Sequence, residues 1–209
     1  MKNLRKIIKN YDAKALGVQR GYAVLLPLIN IDGEYHVLYE VRSQHISQPG
    51  DTSFPGGRIE DGEEPKEAAI RETTEELNIK AENIEVFGEI DYIVSQNRII
   101  YCYVGEIINV DYCDIFPNIE VERLFTVPLK HLLDNGPKMY SIKMEHVEDQ
   151  NFPFHRISRG KKYPFNGMKQ HVPFYEIPDE TLWGFTANLT ERFIQIIKED
   201  DKIQDIPNK

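Results

Sequence analysis

The chain has 209 residues, enough for one domain and short of two. Hydrophobic residues make up 41% of it, which suffices for an ordinary core and excludes a disordered chain. A formal net charge of −9 disfavours non-specific binding to nucleic acid or to an anionic membrane, yet leaves room for an anionic substrate held through cations.

The opening MKNLRKIIKNYDAK scatters its charges and has no apolar h-region, so no signal peptide is expected. No run reaches the ~18 apolar residues of a membrane span. The expectation is a cytoplasmic protein. Leu4, Ile7 and Ile8 predict a short amphipathic helix over residues 2–10. Gly21–Ile31 is a mostly apolar run suited to a strand buried on both faces, with Pro27 pointing to an edge or a bulge. Asp32-Gly33 predicts a hairpin into Tyr35–Val41, and Arg42–Ser53 reads as a loop with a turn at Pro49-Gly50. Pro65–Leu77 predicts a helix that buries Ala68, Ala69, Ile70, Thr73 and Leu77 and turns its glutamates outward. Strands are predicted at Ile84–Val94 and Ile99–Ile108, joined near Gln96-Asn97, and at Leu124–Val127 and Pro173–Ile177. A short helix or turn follows at Pro128–Leu133. Residues 134–172 give no clear pattern. Leu189, Phe193, Ile196 and Ile197 predict a C-terminal helix over residues 184–198. Cys102 and Cys113 fit no zinc or redox spacing, and Cys102 reads as a buried thiol. No repeat, linker or boundary breaks the chain, so residues 1–209 read as one α/β domain.

The stretch richest in chemistry runs from Phe54 to Ile79, FPGGRIEDGEEPKEAAIRETTEELNI. Residues three and four apart share a helical face, so Glu72 sits beside Glu75 and Glu76. Three crowded carboxylates repel one another unless a cation joins them, and Mg²⁺ pairs such oxygens with substrate phosphates. Gly57, five residues, Glu63, seven residues, then Arg71-Glu72-Thr73-Thr74-Glu75-Glu76-Leu77-Asn78-Ile79 resembles the Nudix box over residues 57–79. Asn78 stands where the family has glycine, and asparagine tolerates the left-handed backbone of a helix end. Thr73 stands at an aliphatic position.

The resemblance implies the Nudix fold, a mixed β-sheet between helices, and a Mg²⁺- or Mn²⁺-dependent pyrophosphatase. It implies metal binding by Glu72, Glu75, Glu76 and the Gly56 carbonyl, with Arg71 orienting Glu75. The general base is expected at Glu75 or Glu76, with Glu120 or Glu122 as the distal alternative. The lead-in LYEVRSQHISQPGDTSFPGG resembles the extra motif of Nudix coenzyme A diphosphatases through Arg42-Ser43, Gly50 and Phe54-Pro55-Gly56-Gly57. That motif's second arginine is missing: Ser47 is nearest. VERLFTVPLKHLL and LWGFTANLTERFI extend the likeness to about residues 20–197. Substrate contacts are accordingly expected at Arg42, Ser43, Phe54 and Arg58. The expected partner is coenzyme A or an acyl-CoA, with ADP-ribose, NADH or a dinucleoside polyphosphate as the enzymatic alternative. A sensor that binds a nucleotide without hydrolysing it is the alternative of another class. Family members are often homodimers. The basic run Arg156, Arg159, Lys161, Lys162 and Lys169 reads as a solvated loop, with the ribose phosphate of CoA as its functional alternative. Tyr163, Phe165, Phe174 and Tyr175 read as packing residues rather than an adenine platform.

Overall fold

The computed structural model describes residues 2–13, 16–17, 19–95, 97–144, 151–163 and 169–204. Gln96 and Phe165, both named above, lie outside them. The chain divides into two compact units, Met1–Pro128 and Leu129–Lys209.

The first unit holds α1 (Lys2–Lys9), β1 (Arg20–Ile31), β2 (Glu34–Arg42), β3 (Thr52–Ser53), β4 (Gly56–Arg58), α2 (Pro65–Leu77), β5 (Ile84–Glu89), β6 (Ile93–Ser95), β7 (Arg98–Ile107) and β8 (Val121–Pro128). Its sheet runs β3-β2-β1-β7-β5, with β4 on β1, β6 on β7 and β8 on β2. The β1–β7 pair is parallel and the other pairs are antiparallel, so the sheet is mixed. The Asp32-Gly33 hairpin forms as expected. Both residues take positive φ, 52° and 88°, and Ile31 pairs with Glu34 across the turn.

The sheet forks. β1 pairs with β2 only from Leu28 to Ile31, and with β4 from Tyr22 to Val24. β2 in turn leaves β1 and takes β3 at Glu40 and Val41, with β8 on its other edge. The segment Thr52–Arg58 is therefore wedged between the two diverging strands. Pro27 lies inside this fork, where β1 pairs with β7 alone and is open on its other side, in keeping with the local edge expected from the sequence. Leu25 N–H donates to Pro55 O at 3.0 Å, so the odd-numbered amides of β1 point away from β7. Pro27 has no amide, and it falls in the interval where neither β4 nor β2 asks for one.

α2 packs on β1 and β4. Ala68, Ala69 and Leu77 join Ala23, Leu25, Ile29 and Leu38 in one core. The two alanines let the helix approach the sheet closely. Thr73 is fully buried, and its hydroxyl donates to Ala69 O at 2.7 Å, which satisfies the polar atom within the helix itself. The outward placement of the glutamates holds for Glu75 but not for Glu76, which is only 4% exposed. Glu76 follows Thr73 by three residues and precedes Leu77, so it shares their buried face. On the far side of β2, Tyr39 stacks between Phe54 and Phe125, each at 5.2 Å. Phe54, expected from the sequence as a substrate contact, is a core residue at 3% exposure.

The second unit holds α3 (Leu129–Asp134), β9 (Lys138–Lys143), β10 (Lys169–Ile177), β11 (Glu180–Trp183) and α4 (Gly184–Gln204). Its sheet runs β11-β10-β9, and α4 packs on β10 and β11. β9 and β11 had no signal in the sequence. β9 is exposed along its whole length, so no buried alternation marks it. The basic run contains two 3₁₀ turns, Phe154–Arg156 and Gly160–Lys162, with Lys161 Nζ 5.9 Å from the centre of the Phe154 ring. Phe174 stacks on Trp183 and Tyr175 is buried, in keeping with packing roles. Among the described residues, no helix is long and apolar enough to cross a membrane.

Asn78 ends α2 with φ 51° and ψ 40°, and its side-chain amide donates to Phe116 O at 2.8 Å. Asn78→Ala places a Cβ in left-handed backbone and loses that bond, so denaturant unfolding is expected to show a loss of about 1–2 kcal/mol. Asn78→Gly is expected to lose less, because glycine removes the backbone penalty.

Candidate functional site

The fork and α2 together bring the carboxylates to one place. Gly56 has φ 154°, and a Cβ there would lie 2.4 Å from Ala23 O and 2.6 Å from Val24 Cα. At Gly57 a Cβ would lie 2.3 Å from the Glu72 carboxylate carbon. Close approach to the β1 backbone requires glycine at 56, while at 57 a side chain would push the Glu72 carboxylate aside. Gly56 N–H donates to Glu76 Oε2 at 2.7 Å.

Arg71 organises the rim. Its guanidinium takes Glu63 in a two-pronged grip, Nε to Oε1 at 2.8 Å and Nη2 to Oε2 at 3.0 Å. Nη1 donates to Glu72 Oε1 at 2.7 Å, and Nη2 also reaches Arg58 O at 3.0 Å. Glu75 Oε2 is 3.9 Å away, so Arg71 orients Glu72 and Glu63 in the first place, not Glu75 as expected. Hydrogen bonds from Arg71 hold the Glu63 carboxyl below its ordinary range. The sequence places Glu63 at a fixed position of the box without giving it a role; the fold supplies one by bringing it against Arg71.

The structure adds a carboxylate that sequence reasoning missed. Glu40, in the middle of β2, is 1% exposed. Its Oε1 accepts from Ser53 Oγ at 2.8 Å, and its Oε2 has no hydrogen-bond partner among the described residues. It stands within electrostatic reach of Glu72, Glu76 and Glu120. Burial pushes Glu76 and Glu40 upward from the ordinary carboxylate value of 4.5, and their mutual repulsion adds to the rise of Glu76. Burial also raises Glu72, against the pull of Arg71. The signal for Glu40 was absent because a glutamate in an apolar strand (HVLYEVR) is indistinguishable from a solvent-facing alternation.

Of the other expected residues, Glu120 is exposed and lies beside this group, with its carbonyl accepting from Ser43 N–H at 2.9 Å. Ser43 is buried and its hydroxyl accepts from His45 N–H at 3.3 Å. Ser43, expected as a substrate contact, ties the 43–51 loop to the segment before β8. Arg42 Nε donates to Ser47 O at 2.8 Å, so the residue that replaces the missing arginine supports the remaining one. Arg58 lies in β4, exposed, beside the fork. Glu72, Glu76, Glu120 and the Gly56-Gly57 backbone are thus brought together, with Glu75 on the outer edge at 60% side-chain exposure.

The donor chemistry fits a hard divalent ion: oxygen ligands, mutual repulsion and one buried oxygen without a partner. Glu72 is turned to Arg71 and Glu76 to Gly56 N–H. Among the described residues no group of three His, Cys, Asp or Glu is arranged to hold an ion, so closing on one requires these side chains to rotate.

The NUDIX domain model matches residues 19–136, more than half of the chain. The chain belongs to the Nudix family. Nudix hydrolase 3 of Caenorhabditis elegans is 34% identical over 132 residues, 60% of this chain and 55% of that protein, so the chain spans about half of that relative's length. The mitochondrial coenzyme A diphosphatase NUDT8 of Homo sapiens is 26% identical over 198 residues, covering 92% of this chain and 76% of the human protein. The peroxisomal coenzyme A diphosphatase NUDT7 of Mus musculus is 28% identical, covering 70% and 64%. The crystal structure of a MutT/nudix family protein from Enterococcus faecalis superposes with a TM-score of 0.53 at 12% identity, over 95% of this chain and 70% of that one. The Nudix fold expected from the box is therefore the fold observed, and the mixed sheet with α2 laid across it is its form in this chain.

The two box glycines are expected to respond differently to alanine. Gly56→Ala meets backbone and is expected to cost roughly 2–4 kcal/mol in denaturant unfolding. Gly57→Ala meets only the end of a flexible side chain, so stability should change by less than about 1 kcal/mol while Glu72 is displaced and divalent-cation affinity falls. Metal-free protein should also lose stability as pH rises above the ordinary carboxylate value of 4.5. The folded state there holds protons on Glu40 and Glu76 that the unfolded chain has released, and the side binding fewer protons gains with pH. Thermal melts in EDTA should show this slope, and Glu76→Gln should flatten it.

Proposed function

We propose that the chain is a divalent-cation-dependent pyrophosphatase acting on coenzyme A or an acyl-CoA. The products are adenosine 3′,5′-bisphosphate and 4′-phosphopantetheine or its acyl form. One observation carries the substrate: relatives named coenzyme A diphosphatase match along nearly the whole chain, 92% of it for the human protein. Arg42-Ser43, Gly50 and Phe54-Pro55-Gly56-Gly57 stand in the order of that subfamily's motif.

Mg²⁺ or Mn²⁺ would supply charge neutralisation on the pyrophosphate and an activated water. Glu72, Glu75, Glu76 and the Gly56 carbonyl are its proposed donors. Arg71 serves by position, holding Glu72 against Glu63 so that the carboxylate stays over Gly57. Arg42 and Arg58 bring positive charge to an otherwise acidic surface, suited to phosphate oxygens. The attacking water's proton goes to a carboxylate that solvent reaches. Glu75 and Glu120 meet that condition, whereas Glu76 is buried and already accepts from Gly56. The same reading includes a cytoplasmic location and a homodimer, the latter checked by light scattering.

Ser47, in place of the motif's second arginine, favours a second reading in which another nucleoside diphosphate derivative is cut. Chromatographic product analysis separates the two. The protein is incubated with CoA, ADP-ribose, NADH and diadenosine polyphosphate, each with Mg²⁺, Mn²⁺ or EDTA. Release of adenosine 3′,5′-bisphosphate from CoA alone, only with a cation, is the expected result. Glu76→Gln should lower kcat/KM by roughly a hundredfold or more. Cleavage of ADP-ribose but not of CoA would replace the first reading with the second. Nucleotide binding without turnover would overturn both and leave a sensor.

A further inference from the structure

The strand that carries Glu40 makes an unusual choice. β2 is buried from Val37 to Val41, and four of those five side chains are apolar. Alternation along a strand puts Glu40 on the same face as Leu38. Leu38 packs in the core that includes Ala68, Ala69 and Leu77 of α2. Glu40 therefore faces α2, one strand step further along, while Tyr39 takes the opposite face with Phe54 and Phe125. The acidic groups within its reach are Glu72 and Glu76 of α2 and Glu120 of the segment before β8; Arg42 of its own strand is the cation that offsets them.

A buried carboxylate with one oxygen unpartnered is costly in either protonation state. Ionised, it keeps a charge out of water; protonated, its hydroxyl still lacks an acceptor among the described residues. Ser53 fixes Oε1 and so leaves Oε2 as the oxygen turned to other company. A hard cation placed among the facing carboxylates would satisfy that oxygen and offset the repulsion at once.

We propose that Glu40 is a further oxygen ligand of the divalent cation, supplied by the sheet opposite the α2 glutamates and aimed by Ser53. The proposal rests on the cation-dependent reading above. It gives the site a donor from β2 that lies outside the box, so the ion ties α2 to the strand that leaves the fork. It also explains why Thr52–Ser53 pairs with β2 at Glu40: the pairing sets the hydroxyl that orients the carboxylate.

Mn²⁺ binding by calorimetry, without substrate, tests it, alongside thermal melts in EDTA and in Mn²⁺. Wild type, Glu40→Gln, Glu40→Asp and Ser53→Ala are compared at one pH. Glu40→Gln is expected to weaken Mn²⁺ by about tenfold or more. Its melt in EDTA should equal or exceed that of wild type, because a buried group repelled by its neighbouring carboxylates is gone, and its gain in Tm on adding Mn²⁺ should shrink. Ser53→Ala should weaken Mn²⁺ by a smaller factor. Unchanged Mn²⁺ affinity in Glu40→Gln, with wild type binding normally, overturns the proposal and leaves the proposed function standing. A lowered melt in EDTA with unchanged affinity would assign Glu40 a purely structural part. If Glu40→Gln does not fold, Glu40→Asp decides: its carboxylate is one carbon shorter, and affinity equal to wild type overturns the proposal. Absence of Mn²⁺ binding in wild type would instead defeat the proposed function itself.

Discussion

Everything at the candidate site depends on how closely the backbone of residues 56 and 57 can approach its neighbours. Gly56 lies against the β1 backbone, and Gly57 lies under the Glu72 carboxylate. Neither approach leaves room for a Cβ. The contact is possible because β1 and β2 diverge, which opens a slot for Thr52–Arg58 in the middle of the sheet. A continuous β1–β2 ladder would have paired those amides with each other. The fork instead directs the Gly56 amide to a side chain of α2.

Charge is handled unevenly around that slot. One guanidinium, Arg71, binds Glu63 and Glu72 and touches the carbonyl of Arg58, so β4, the loop before α2 and α2 itself share one cation. Among the described residues, neither Glu76 nor Glu40 is hydrogen-bonded to a cation. They are buried, each takes a single neutral donor, and both hold their protons more tightly than a solvated carboxylate. A rim stabilised by an ion pair thus surrounds an interior that repels itself. Such an interior is poorly satisfied without a cation, and the proposed divalent ion would link stability to ligand binding through these same residues.

The box was legible because its chemistry is local. Glu72, Glu75 and Glu76 are neighbours on one helix whatever surrounds them, and Pro65, Asn78 and the alanines mark where that helix starts, ends and packs. The Asp32-Gly33 turn and most strands were legible for similar reasons of backbone preference and alternation. Thr73 looked like a weak packing choice, and only the helix's own carbonyl at Ala69 shows how its hydroxyl is satisfied. Pro27 suggested an edge because a ladder needs amides, and the fork supplies one locally by leaving that side of β1 without a ladder bond. Phe54 and Ser43 sit in a motif associated with substrate, and only the fold shows that both are buried. Glu40 left no trace, since a one-residue departure in an apolar strand has no period of its own.

The sequence by itself determined the family, the helix that bears the acidic residues and the glycines that let a backbone come near them. These are short-range facts, set by spacing along a helix and by the absence of a side chain. Only the tertiary structure decided which carboxylates face one another, which of them are buried and which one Arg71 holds. Those answers depend on strands far apart in sequence, such as β1 with β7 and β2 with β8, being laid side by side, and pairing at that distance is set by the packing of the whole sheet, which no local pattern records.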